Sequence, residues 1–400
     1  MPPTNPFAPT FGATPPVLAG RDDIFADHEA AWTTGPTHPS YTTLLIGRRG
    51  SGKTVVLEAL RALGGSHGWL SISEAAATPG LLDRLAMRAY GLLNRHVDEP
   101  HSDVKDDLSA AGIRLGADSL PAFDEPSLGL EAVLRALASH LVEAGTGVLI
   151  TVDELHAGET NELRALGIVV QNVTRIGRLP VAFVGAGLPM LEDTLLADTN
   201  VTFLQRCAQH EIGLLDPAAV WTALSEAVKQ HGGHMDPAAL SHAVDVSQGY
   251  PFLVQLVGFH AWEAAADPTV AVTLEDALAG AEIALHRVGR LVVAPMWRDL
   301  AEGSRRFLAA VAMDDGPSRT SDIAARLGVS SAYVGTYRHR LMRSGMVTSA
   351  GHGRLDFVLD ATRAWIRRLD EYPLLCETLN LADRPRVGFA RPEANRHPES

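Results

Sequence analysis

Gly47-Arg48-Arg49-Gly50-Ser51-Gly52-Lys53-Thr54 fits the pattern G-x-x-x-x-G-K-[ST], and the residues on either side complete the unit. Tyr41 to Ile46 reads as a buried β-strand, and Val55 to Leu63 carries apolar residues at helical spacing. The expected order is therefore strand, glycine turn, helix. Glycines let the backbone wrap phosphates, while successive N–H groups from Gly47 to Val55 and the helix N-terminus face the anion. The Lys53 ammonium is placed to reach the β and γ phosphates, and the Thr54 hydroxyl to ligate Mg²⁺. ATP with Mg²⁺ is the ligand this implies. Lys53 is one of three lysines among 34 basic residues, and it stands where a slim point charge suits and a wide guanidinium does not.

A second chemical element lies about a hundred residues on. Gly147 to Glu154 is an apolar run ending in two carboxylates, the pattern of a buried parallel strand with acids at its carboxyl end. Ligands bind at that end of such sheets. Asp153 is suited to hold Mg²⁺ through water, and Glu154 to polarise the water that attacks the γ-phosphate. Further strands are expected at Trp69–Ser73 and Val181–Val184, with helices over 81–96, 128–142 and 161–176, so strand and helix alternate. The fold class is α/β, a parallel sheet flanked by helices. From about Asp216 to Ala284 the pattern turns helical, suiting a lid over the nucleotide.

Net charge is −13, which argues against a chain coated along its whole surface by nucleic acid or anionic membrane. The charge is unevenly placed. Ala301 to Asp370 holds eleven Arg against seven Asp plus Glu, a basic module on an acidic body. Two cysteines, Cys207 and Cys376, make no disulfide framework, and no membrane span is expected, so cytoplasm is the implied compartment. The Pro-rich residues 1–15 read as a disordered leader without signal-peptide features, Asp98 to Pro126 as a mobile surface loop, and the tail beyond about Leu381 as disordered.

Within the basic module, Arg305–Val311, Thr320–Leu327 and Ser331–Ser344 read as three helices with helix-turn-helix spacing, followed by strand, turn and strand. Thr320 or Ser321 is expected to cap the second helix. Tyr333, Thr336, Arg340 and Arg343 fall on the outer face of the third, and Arg354 beside a wing tip. These side chains suit the phosphates and base edges of double-stranded DNA. The competing reading is that they pair with the acidic body.

Taken together, the chain resembles the AAA+/STAND division of P-loop ATPases, near the archaeal-type and origin-recognition ATPases. Four features carry the resemblance: Gly20-Arg21, the phosphate loop Gly47 to Thr54, the pair Asp153-Glu154, and Gly249-Tyr250-Pro251. The resemblance implies a P-loop ATPase core over 16–212, a helical lid over 213–292 with Pro251 against the nucleotide, a winged helix-turn-helix over 300–370, and a tail over 371–400. It implies ATP hydrolysis to ADP, nucleotide contacts from Gly20 and Arg21, and an arginine finger, for which Arg206 competes with Arg175 and Arg178. Two departures stand out. A polar γ-phosphate sensor is absent where Gly185-Ala186-Gly187 follows Val184, and the lid has Pro251-Phe252 where initiator ATPases carry arginine. The implied function is a nucleotide-dependent switch engaging DNA; the alternative is nucleotide-controlled self-association or signalling to an effector protein, with a structural winged helix.

Overall fold

The computed structural model describes residues 4–10, 12–96, 108, 126–192 and 202–379. Most of the expected surface loop and all of the expected tail beyond Leu381 lie outside them. The chain divides into two compact units, one of Met1–Met296 with Arg343–Gly345, the other of the remaining residues from Trp297 on.

In the first unit, β1 (Thr42–Gly47), β2 (Leu70–Ala75), β3 (Val148–Asp153), β4 (Val181–Gly187) and β5 (Ala208–Ile212) form one sheet in the order β2-β3-β4-β1-β5, all pairs parallel. Strand alternation builds two cores. Leu44, Ile46, Ile150 and Phe183 point to one face, where they meet α3 (Leu81–His96), α4 (Pro126–Glu143) and α5 (Thr160–Gln171). Leu45, Leu149, Ala182 and Val184 point to the other, against α1 (Asp22–Thr34) and α2 (Lys53–Ser66).

After β5 the unit is helical: α6 (Pro217–Gln230), α7 (Pro237–Ser247), α8 (Pro251–Ala264) and α9 (Leu274–Val288). The first three each open with proline at the first helical position, where no N–H is needed and φ is already helical. A capping box, Thr273 with Asp276, opens α9.

The leader departs from expectation. Phe7 is 3% exposed and packs on Gly258 of α8, where a Cβ would come within 2.6 Å of its ring. Asn5 Nδ2 donates to the Phe259 carbonyl at 3.1 Å and to Glu263 at 2.9 Å, and the Ala8 N–H donates to Gln255. The described leader residues are thus not disordered: one aromatic anchor and three hydrogen bonds offset the cost of ordering them.

The second unit contains α10 (Glu302–Val311), β6 (Ser318–Arg319), α11 (Thr320–Leu327), α12 (Ser331–Arg343), β7 (Val347–Ser349), β8 (Arg354–Phe357), α13 (Asp360–Arg367) and α14 (Tyr372–Glu377). Strands β7 and β8 follow the three helices, and β6, which lies between the first two helices, joins them in an antiparallel sheet of order β6-β8-β7. Phe307, Ile323, Val334, Leu341 and Leu355 fill the core. Thr320 and Ser321 cap nothing: Arg319 takes the N-cap position, and the Thr320 hydroxyl donates instead to the Gly353 carbonyl of the wing turn. Residues 371–379, assigned from sequence to the tail, fold onto this unit, with Tyr372 and Leu379 buried and Arg306 donating to the Thr378 carbonyl.

Candidate active site

The loop between β1 and α2 exposes backbone donors because its cap is glycine. Gly52, the N-cap of α2, is left-handed at φ 93° and supplies no side-chain hydrogen bond, which leaves the first-turn amides for another acceptor. Lys53 is 7% exposed, and its Nζ donates to the Gly47 and Arg48 carbonyls, each at 2.9 Å. Burial pulls its pKa below the usual lysine value, opposed by Asp153 and Glu154. Ser51 Oγ is buried and has no hydrogen-bond partner among the described residues.

Thr54 and Asp153 meet although they are 99 residues apart: the Thr54 hydroxyl donates to Asp153 Oδ2 at 2.5 Å. Asp153 Oδ1 accepts the Glu154 N–H at 2.7 Å. In a continuing strand, adjacent side chains would face opposite ways. Glu154 breaks that rule with a left-handed backbone, φ 56° and ψ 37°, followed by a short turn of helix over Leu155–Ala157. Both carboxylates are thereby kept at the same strand end, and Glu154 lines one cavity with Lys53 and Thr54. Such a conformation in a non-glycine residue carries strain of the kind found at functional sites.

The cavity holds about 360 Å³. Arg49, Lys53, Thr54 and Glu154 give it a polar lining, and Val17, Leu18, Leu215, Phe252 and Leu291 an apolar lining suited to a planar base. Arg21, 9% exposed, also lines it, and its Nη2 donates to the Gly213 carbonyl at 2.5 Å, tying the start of α1 to the end of β5. Gly20 is a packing position, since a Cβ there would press to 2.9 Å from Ala219. Pro251 lines the cavity at the start of α8, with its Cβ 4.0 Å from where a Gly52 Cβ would stand.

Two residues beyond the expected set belong here. Tyr250, 4% exposed, donates its hydroxyl to the Arg49 carbonyl at 2.5 Å, so the helical lid holds the phosphate loop directly. Gly50 is required beneath it, because its φ is +73° and a Cβ would sit 2.1 Å from the Tyr250 oxygen. His156 Nε2 lies 3.1 Å from Glu154 Oε2. Sequence offered a weak sign of each: Tyr250 stood as the free position of a three-residue motif, and His156 lay three residues after Asp153.

Arg206 is exposed after the short helix Thr202–Gln205 and does not line the cavity; Arg175 and Arg178 are exposed as well. In the second unit Tyr333, Thr336, Arg340 and Arg354 are exposed, whereas Arg343, which is grouped with the first unit, is half-buried and does not belong to that exposed set. Tyr333 stacks on Tyr337 at 4.5 Å, and the Arg340 guanidinium lies over the Tyr337 ring. Other arginines are committed within the unit: Arg326 to Asp314, Arg363 to Asp356 and Arg367 to Asp315.

A Walker-type ATPase of Pyrococcus abyssi aligns with 88% of this chain and 96% of its own, at 15% identity and a TM-score of 0.62. The ORC2 protein of Aeropyrum pernix, solved in ADPNP–ADP complexes, aligns with 92% of this chain and 97% of its own, at 12% identity and a TM-score of 0.58. The chain shares the fold of these two proteins, a parallel P-loop sheet flanked by helices. A domain family of unknown function, DUF8462, matches residues 291–366, which cover most of the second unit's helices and wing. No curated protein matches the sequence. No described helix is long and apolar enough to cross a membrane.

Proposed function

We propose that this chain is a Mg²⁺-dependent ATPase that switches between ATP and ADP states and engages duplex DNA through its C-terminal unit. The convergence of Lys53, Thr54 and Glu154 on one cavity that also has an apolar lining, with Asp153 held beside it by the Thr54 hydroxyl, is the observation that carries the ATPase reading. The residues fit nucleotide and cation: Thr54 and Asp153 offer hard oxygens 2.5 Å apart, and the buried Ser51 Oγ and the first-turn amides of α2 are suited to phosphate oxygens. Thr54 would hold Mg²⁺ directly and Asp153 through water. Bound there, the cation supplies charge neutralisation at the phosphates. Lys53 brings a positive charge to the phosphates from a buried position, Asp153 and Thr54 keep the metal end of the site in register, and Glu154 takes the proton of the attacking water at its carboxylate. Arg206, exposed, is suited to act as a finger toward a neighbouring copy's nucleotide.

DNA engagement is supported by charge left uncommitted. Arg319 and Arg354 stand directly opposite each other across β6 and β8, are exposed, and have no carboxylate partner among the described residues. Like charges so placed repel, and an anionic partner removes the penalty. Sequence reading had Arg354 but not Arg319.

The nucleotide reading is tested by ATP binding and turnover of Lys53→Ala and Glu154→Gln. The first is expected to lose nucleotide and the second to retain ATP without turnover; unchanged affinity in Lys53→Ala overturns the site. DNA engagement is tested by anisotropy of a labelled random duplex in ADP and in a non-hydrolysable ATP analogue at two salt concentrations. Arg319→Glu with Arg354→Glu is expected to lower the salt slope by about 2. Binding equal to wild type, or no binding in any state, turns the output toward self-association or an effector protein.

A further inference from the structure

Glu154 has a donor beside it that the chemistry above does not use. The His156 imidazole is about a tenth exposed and the Glu154 side chain about half, and their nearest atoms, Nε2 and Oε2, are 3.1 Å apart. At the ring's other side, Nδ1 faces the Leu188 N–H at 3.4 Å. A backbone amide only donates, so Nδ1 carries the lone pair, and the neutral ring then bears its proton on Nε2, toward the carboxylate. Burial lowers the His156 pKa, with Lys53 and Arg49 acting in the same sense and Glu154 and Asp153 opposing, which favours the neutral ring.

The place of this loop depends on the end of β4. A Cβ on Gly185 would stand 2.4 Å from Leu155 Cδ1, on the loop itself. Strand β4 thus carries no polar side chain at its end and instead makes room for the loop that bears His156. Glu154 itself sits in a left-handed kink, so the strand does not fix where its carboxylate points.

We propose that His156 is a positioning residue for Glu154: its Nε2–H holds one carboxylate oxygen, with its own orientation set by the Leu188 amide, and leaves the other oxygen to take the proton of water. This rests on the ATPase reading. Outer partners that orient a reacting group are typically worth about 10–100-fold. His156→Leu is therefore expected to lower kcat by about that factor while KM for Mg-ATP moves less than about twofold. His156→Gln, whose amide N–H₂ reaches the Nε2 position, is expected to recover most of the loss.

Independently of turnover, long-range ¹H–¹⁵N spectra of the nucleotide-free protein should show the His156 ring, assigned by its absence in His156→Gln, as the Nε2–H form, shifted in Glu154→Gln. An Nδ1–H ring, or turnover abolished by Lys53→Ala and Glu154→Gln but untouched by His156→Leu, overturns the proposal and leaves the ATPase reading standing. A wild-type protein without Lys53-dependent turnover overturns both. If His156→Leu does not fold, the spectra of the unmutated protein decide alone.

Discussion

A single phenol connects the lid to the phosphate loop. The Tyr250 hydroxyl is buried, and burial raises its pKa, so at any ordinary pH it is a donor, and the Arg49 carbonyl is its acceptor. Tyr250→Phe keeps the ring and removes the donor, leaving a buried carbonyl short of a partner. The expected loss is about 1 kcal/mol. If the loss falls wholly on the loop, ATP affinity drops about fivefold, measured by titration calorimetry at constant Mg²⁺. Unchanged affinity and stability would show that the loop holds its shape without the lid. The contrast with Lys53 and Thr54 shows what a sequence discloses. Phosphate chemistry dictates eight adjacent residues, so the loop was legible; Tyr250 works across 201 residues and His156 through a kink, and no local spacing announces either contact.

Among elements, α8 does two jobs. Its first turn presents Pro251 to the cavity, and its later turns receive Asn5, Phe7 and Ala8. The buried apolar runs that become β1 and β3 were readable, as was the helical character of 216–284, but the proline starts within that stretch were not marked out. The leader was misread because its many prolines suggested disorder, whereas the decisive term is one aromatic side chain with a glycine opposite it. Phe7→Ala removes that anchor. Since the segment can peel away without unfolding the rest, the expected result is local: hydrogen exchange rises at residues 4–10 and stays the same in the sheet. Protection equal to wild type would mean the hydrogen bonds hold the segment by themselves.

At the scale of the whole molecule, stability should depend on pH through one buried ring. His28 on α1 is fully buried, its Nδ1 bonds the Ile24 carbonyl at 2.7 Å, and Nε2 has no hydrogen-bond partner among the described residues. Burial pulls its pKa from 6.5 to about 4, so between those values the unfolded chain binds a proton that the folded chain refuses. Stability from this residue is intact above pH 6.5 and falls as pH drops toward 4, by about 3 kcal/mol in all. Urea unfolding at pH 5 and pH 7 should differ by about 2 kcal/mol from this residue in wild type and by little of that in His28→Phe; an equal difference in both would assign the effect elsewhere.

The packing of Asn5 on Glu263 joins residues 258 apart. A ribosome adding about 5–20 residues per second needs roughly 13 to 50 s to make that stretch, so Phe7 leaves the exit tunnel long before α8 exists to receive it. During synthesis the β1–α2 loop can form early, but the wall supplied by Ala8 and Thr10 arrives only after the lid has been translated. A nascent chain therefore has its phosphate cradle well before it has a complete chamber, and tight nucleotide retention becomes a late event in the life of each molecule.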